Sequence, residues 1–140
     1  MIKRLKTLLI ILCLCVFTCG CDERENAGIL FNAVPIDKET ISNSSRTFEA
    51  GKKIYYLFYT PKKIDTEFIR VQVFKAGDKI PRGGYLIVWT CDYRIMKQNM
   101  YYYYNNFVLY EAGRYVMQVF STDNLSEPLA WNYFYIVPAR

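Results

Sequence analysis

From Gly28 to Arg140 no stretch keeps its apolar residues at helical spacing. Short runs rich in β-branched and aromatic side chains are instead separated by clusters of Pro, Gly, Asn, Asp and Ser. That rhythm confines the chain to sheet architectures. The runs cover residues 29–34, 53–60, 68–74, 85–91, 100–110, 115–121 and 129–137, which predicts about seven strands, with Asn105-Asn106 a candidate break in the fifth. In 68–74, Ile69, Val71 and Val73 face one way and Arg70 and Gln72 the other; in 115–121, Tyr115, Met117 and Val119 oppose Gln118. Residues 85–91 are apolar on both faces and predict a central strand covered on both sides. Short strands at this spacing predict an all-β, antiparallel sandwich over residues 29–140.

The first twenty-one residues read as an address. Lys3, Arg4 and Lys6 precede an unbroken apolar run, Leu8 to Phe17, the layout of an export signal and its helix. The uncharged stretch Thr7 to Cys21 has fifteen residues, about 22 Å as a helix against a hydrocarbon core of about 30 Å. A spanning helix is therefore the weaker reading. Without Lys3, Arg4 and Lys6, 15 basic side chains remain against 13 acidic ones. A balance so near neutrality does not point to nucleic acid.

Thr18-Cys19-Gly20-Cys21 resembles the lipobox of bacterial lipoproteins, with Thr18 where that family favours an aliphatic residue. The resemblance implies a signal peptide over residues 1–20, acylation of Cys21, and attachment to membrane lipid outside the cytoplasm. Residues 21–28 would then form the lipidated cysteine and a polar tether ending at Gly28. An ordinary cleaved signal and an uncleaved anchor remain open beside it. Asp22 resembles the signal that retains enterobacterial lipoproteins in the inner membrane, and the relaxed lipobox resembles those of other lineages, so inner and outer membrane both stay open. Once Cys21 carries lipid, Cys91 is the one cysteine without a partner; it reads as a small buried hydrophobe, with a Cys21–Cys91 disulfide as the excluding alternative.

Glu111-Ala112-Gly113-Arg114-Tyr115-Val116-Met117 resembles the start of the penultimate strand in immunoglobulin-like and fibronectin-III-like domains. The resemblance implies an immunoglobulin-like sandwich with a structural corner at Gly113 and Tyr115, the tyrosine hydroxyl turning back to an upstream backbone group. Met117 would stand where an immunoglobulin domain has its second cysteine.

No histidine occurs anywhere, which removes imidazole bases, the usual zinc ligands and every imidazole-dependent triad. No catalytic residue, cofactor site or metal site is expected; the acidic pairs Asp37/Glu39 and Asp65/Glu67 read as solvated loop charges. Lys62-Lys63 and Lys52-Lys53 bracket one strand and read as solubility and edge-protecting charges. The aromatic share of 17% is the feature that suggests an activity, because a two-layer sandwich hides only one face of each sheet. Tyr101, Tyr102, Tyr103, Tyr104, Tyr56 and Phe134 are the candidate partner surface, for an envelope protein or glycan. The expected role is a non-catalytic binding or assembly module of the cell envelope. A periplasmic or secreted ligand-binding domain without lipid and an unrecognised envelope hydrolase are the alternatives, and the oligomeric state is left open.

Overall fold

A computed structural model describes residues 26–77 and 85–140. The signal segment, its expected helix and Cys21 lie outside the described residues. The described residues form eight strands: β1 (Gly28–Asn32), β2 (Thr47–Glu49), β3 (Lys53–Tyr59), β4 (Phe68–Ala76), β5 (Tyr85–Arg94), β6 (Tyr102–Val108), β7 (Gly113–Ser121) and β8 (Ala130–Val137). The only helical elements among the described residues are two three-residue 3-10 turns, Ile41–Asn43 and Lys97–Asn99. A sheet of order β1-β3-β6 packs on one of order β2-β8-β7-β4-β5. The chain is all-β and two-layered.

Strict alternation decides which side chains meet between the layers. Ile29 and Phe31 of β1, Ile54, Tyr56 and Phe58 of β3, and Phe107 of β6 face Ile69, Val71, Val73, Tyr115, Met117, Val119, Phe134 and Ile136 of the larger sheet, all in one buried cluster. Phe134 lies at its centre. Its ring centroid is 4.8 Å from that of Phe31, 5.6 Å from Tyr115, 5.7 Å from Phe107 and 6.3 Å from Phe48, the offset and edge-on separations that aromatic rings favour. Phe134 is thus core, not partner surface.

Tyr56 is likewise core. Both corrections have one cause: Tyr56 shares the face of its strand with Ile54 and Phe58, Phe134 shares the face of its own with Ala130 and Ile136, and these faces meet in the buried cluster. The Tyr56 hydroxyl is fully buried without a hydrogen-bond partner. Burial first, and then the neighbouring Tyr93 and Tyr103, push its ionisation far above the usual tyrosine range.

Four further expectations are corrected. A short strand, β2, was not anticipated, and it pairs in parallel with β8, Thr47 opposite Tyr135 and Glu49 opposite Val137; every other strand pair is antiparallel. β6 runs unbroken through Asn105-Asn106, which face Tyr56 and Tyr55 across the ladder. β5 is an edge strand, not a central one: Leu86, Ile87 and Val88 are exposed, Ile87 by 50%. Cys91 on the same strand is half-buried rather than buried.

The corner at the start of β7 forms as expected. Tyr115 is buried and its hydroxyl donates to the Glu111 carbonyl at 2.8 Å. Lys75 braces the corner from β4, its Nζ 2.6 Å from a Glu111 carboxylate oxygen and 5.9 Å from the Tyr115 ring centroid. Gly113 adopts φ +154°, a backbone conformation that favours glycine.

Three stability outcomes follow from this packing. Tyr115→Phe should lower unfolding free energy by about 1–3 kcal/mol in urea melts, and Phe134→Ala by about 3–5 kcal/mol. The folded chain keeps the Tyr56 proton that the unfolded chain releases above about pH 10. Stability is therefore full below that pH and falls above it, by about 1.4 kcal/mol per pH unit for this group. Tyr56→Phe should flatten the alkaline decline by that slope; parallel declines for the two proteins between pH 9 and 11 would contradict the assignment.

Candidate contact surface

The same alternation that buries Ile54, Tyr56 and Phe58 turns Tyr55, Leu57 and Tyr59 outward. Register places Leu57 opposite Tyr104 and Leu30, Tyr59 opposite Tyr102 and Gly28, and Tyr55 opposite Asn106 and Asn32. The outer face of the smaller sheet is consequently a set of cross-strand rows of Tyr and Leu. Tyr104 is 62% exposed, and Tyr59 and Tyr102 about 40% each. The Tyr102 and Tyr104 rings lie 6.5 Å apart and 14° from parallel, while the Tyr59 ring covers Gly28, where any Cβ would collide with it.

One end of this platform has a wall. Asn32 donates from Nδ2 to the Thr40 carbonyl at 2.9 Å and Ser45 N donates to the Phe31 carbonyl at 2.9 Å, so the 33–45 connection folds against β1. Its residues Pro35 and Ile36 enclose, with Tyr55, Tyr104, Asn105 and Asn106, a hollow of about 160 Å³. Asp37 shapes the connection, its Oδ1 accepting from the backbone N of Thr40 and of Glu39 at 2.8 Å each. These bonds hold its carboxyl below the usual range.

Of the six residues expected to make a partner surface, the fold unites two on this face, Tyr102 and Tyr104. Tyr101 is exposed but sits in the turn before β6, its carbonyl accepting from Thr60 N at 2.9 Å. Tyr103 turns inward and half-buried, its ring 4.7 Å from Tyr93 and 6.4 Å from Tyr56, and its hydroxyl accepts from Asn105 Nδ2 at 3.0 Å. Burial raises its ionisation. With Trp89, whose ring stacks 5.6 Å from Phe107, these side chains fill the open side of the sandwich between β5 and β6. Tyr59 and Leu57 were missed as surface residues, although their parity opposite Phe58 was a usable signal.

Chemically the platform is plain. The strands that build it contain one charged residue, Lys53 at the start of β3, and no carboxylate or thiol. It can offer flat apolar area, hydroxyl groups and amides, the means by which aromatic surfaces hold sugar rings or apolar protein side chains. The outer face of the larger sheet is different in kind: Arg70 and Asp92 form a bidentate pair at 2.7 and 2.9 Å, and Arg46 lies 4.5 Å over the Tyr133 ring. Trp131 stands on that face beside a groove of about 320 Å³ lined with Phe74, Val116, Gln118 and Pro128. Among the described residues no group of three potential metal ligands converges, and Glu67 of the Asp65/Glu67 pair is engaged by Arg94 at 2.9 Å.

No protein-family model matches the chain. No curated protein matches it either. Among solved structures it is similar to BslA, a bacterial hydrophobin, at TM-score 0.46 and 14% identity, over 81% of this chain and 100% of that one. It is similar to the soluble domain of PmoD from Methylocystis sp. at TM-score 0.46 and 10% identity, over 78% and 89%. A CARDB domain from Pyrococcus furiosus aligns at TM-score 0.35 and 13% identity, over 82% and 97%. At these values the likenesses bear on no activity.

Proposed function

We propose that this chain is a membrane-anchored lipoprotein of a bacterial cell envelope whose sandwich, of immunoglobulin-like type, is a non-catalytic contact module for a glycan or protein. The uncovered tyrosine face of the smaller sheet, with Lys53 at its margin as the one charged residue, is the observation that carries this reading. A soluble domain gains nothing in stability from leaving Tyr59, Tyr102 and Tyr104 aligned in water, whereas rigid rings in fixed register suit them to be covered by a partner.

The sandwich type is supported by its connections. The first strand is split, β1 in one sheet and β2 in the other, and the last strand, β8, lies parallel to β2. The order β1-β3-β6 against β2-β8-β7-β4-β5 corresponds to strands A-B-E and A′-G-F-C-C′ of such domains. The Tyr115 corner lies at the penultimate strand and Met117, fully buried, fills the place of the second cysteine. Anchoring is supported by Thr18-Cys19-Gly20-Cys21 behind a charged-then-apolar segment. Two or three acyl chains hold a protein on a bilayer far more firmly than one.

Two variants test the two halves separately. Cys21→Ala should shift the protein from the membrane fraction to the soluble extract of cells, and unchanged partition would remove the anchor. Tyr102→Ser/Tyr104→Ser should leave the unfolding free energy in urea within about 0.5 kcal/mol of wild type, as exposed substitutions do, while abolishing the principal crosslinks formed on intact cells. Identical crosslinks would remove the tyrosine face as the contact surface.

A further inference from the structure

Strand direction assigns every connection to one of two poles. Gly28 pairs with Tyr59, Tyr102 pairs with Tyr59, and Ser121 pairs with Ile69. The start of the domain therefore shares a pole with the 60–67, 95–101 and 122–129 connections. Asn26 and Ala27 line a hollow of about 350 Å³ there with Lys62, Ile64, Thr66 and Leu129. Hydrogen bonds bind the connections together: Ile64 N to the Met100 carbonyl at 2.6 Å, Ile95 N to the Glu67 carbonyl at 2.8 Å, and Thr122 N to the Phe68 carbonyl at 3.2 Å. The pole is a single braced surface.

Large apolar side chains are exposed on it. Met96 is 52% exposed, Tyr101 53% and Leu125 47%, each on a connection at this pole. Lys62, Lys63 and Lys97 are exposed beside them, as are Asp65, Asp123 and Glu127, while Arg94 and Glu67 pair with each other. Positive and negative charges balance, so the surface has no net attraction to anionic lipid. Long apolar side chains ringed by lysine stems and carboxylates instead match the interface of a bilayer, where rings and thioethers enter and charged heads stay in water.

We infer that this pole rests on the bilayer surface, inserting Met96, Tyr101 and Leu125 at the level of the lipid head groups. The inference rests on the acylation of Cys21 proposed above. Cys21 precedes Asn26 by five residues, and five residues span at most about 18 Å. A chain that short brings the pole against the membrane that holds the lipid. The tyrosine platform, whose strands run away from this pole, then stands upright with Tyr104 above Tyr102.

The test uses acylated protein purified from membranes in a Cys91→Ser background. One single-cysteine variant carries a bimane label at Ser126→Cys and another at Ala112→Cys, at the opposite pole. Each is reconstituted into phosphatidylcholine vesicles containing head-group spin-labelled lipid, and intact mass is read first. The expected result is severalfold stronger quenching at position 126 than at 112, unchanged by high salt, and lost in Met96→Ser/Tyr101→Ser/Leu125→Ser. Equal, weak quenching at both positions in protein of acylated mass overturns the docking and leaves the anchor standing. A Cys21 without acyl mass overturns both. Quenching at 126 that survives the triple substitution overturns the assignment to these three side chains.

Discussion

Everything in this domain depends on the ring of Phe134 being held among Phe31, Phe48, Phe107 and Tyr115. Those four rings come from β1, β2, the β6 edge and the β7 corner, so one side chain ties both sheets together. Because side-chain direction alternates with a period of two, fixing Phe134 inward also fixes Ile136 inward and Tyr133 and Tyr135 outward. A one-residue slip of β8 would turn Tyr133 and Tyr135 inward and leave Phe134 and Ile136 in water. Asn132 adds a local check on that register, donating from Nδ2 to the Ile29 carbonyl at 2.7 Å and closing the β1 side of the sandwich.

Much of this was legible in the chain because alternation and turn chemistry are local properties. Each of the seven apolar runs became a strand, Tyr115 formed its bond to Glu111, and Ile69, Val71 and Val73 went inside together. What failed was non-local. Thr47–Glu49 is three residues long, with one buried side chain, Phe48, too short to produce a pattern; its existence depends on β8 offering a free edge. Residues 85–91 look central by composition, yet sheet position is set by which strands pair, and nothing local says that β4 has β7 on its other side.

The contact surface was half legible for the same reason. Consecutive tyrosines guarantee that some ring faces outward, and Tyr102 and Tyr104 do. Ile54 and Phe58 flank Tyr56 on its own face and Ile136 follows Phe134 on its face, and these apolar neighbours favour the inner layer for both rings. The register that lines Tyr59 up with Tyr102, and Leu57 with Tyr104, belongs to strand pairing across more than forty residues of chain and cannot be read from either strand alone. The apolar edge formed by Leu86, Ile87 and Val88 shows the converse: a sequence suited to burial that the topology leaves at the rim, where Arg70 and Asp92 on the same sheet supply the nearest charged pair across β4 and β5.

The parallel pairing of β2 with β8 has a mechanical consequence. β1 starts at one pole and β8 ends at the other, so tension applied between Gly28 and Val137 pulls β2 and β8 lengthwise in opposite senses. Their backbone bonds are then strained together instead of being peeled open one after another, and β1 is loaded against β3 in the same way. A domain wired like this yields to traction only when a whole ladder gives at once.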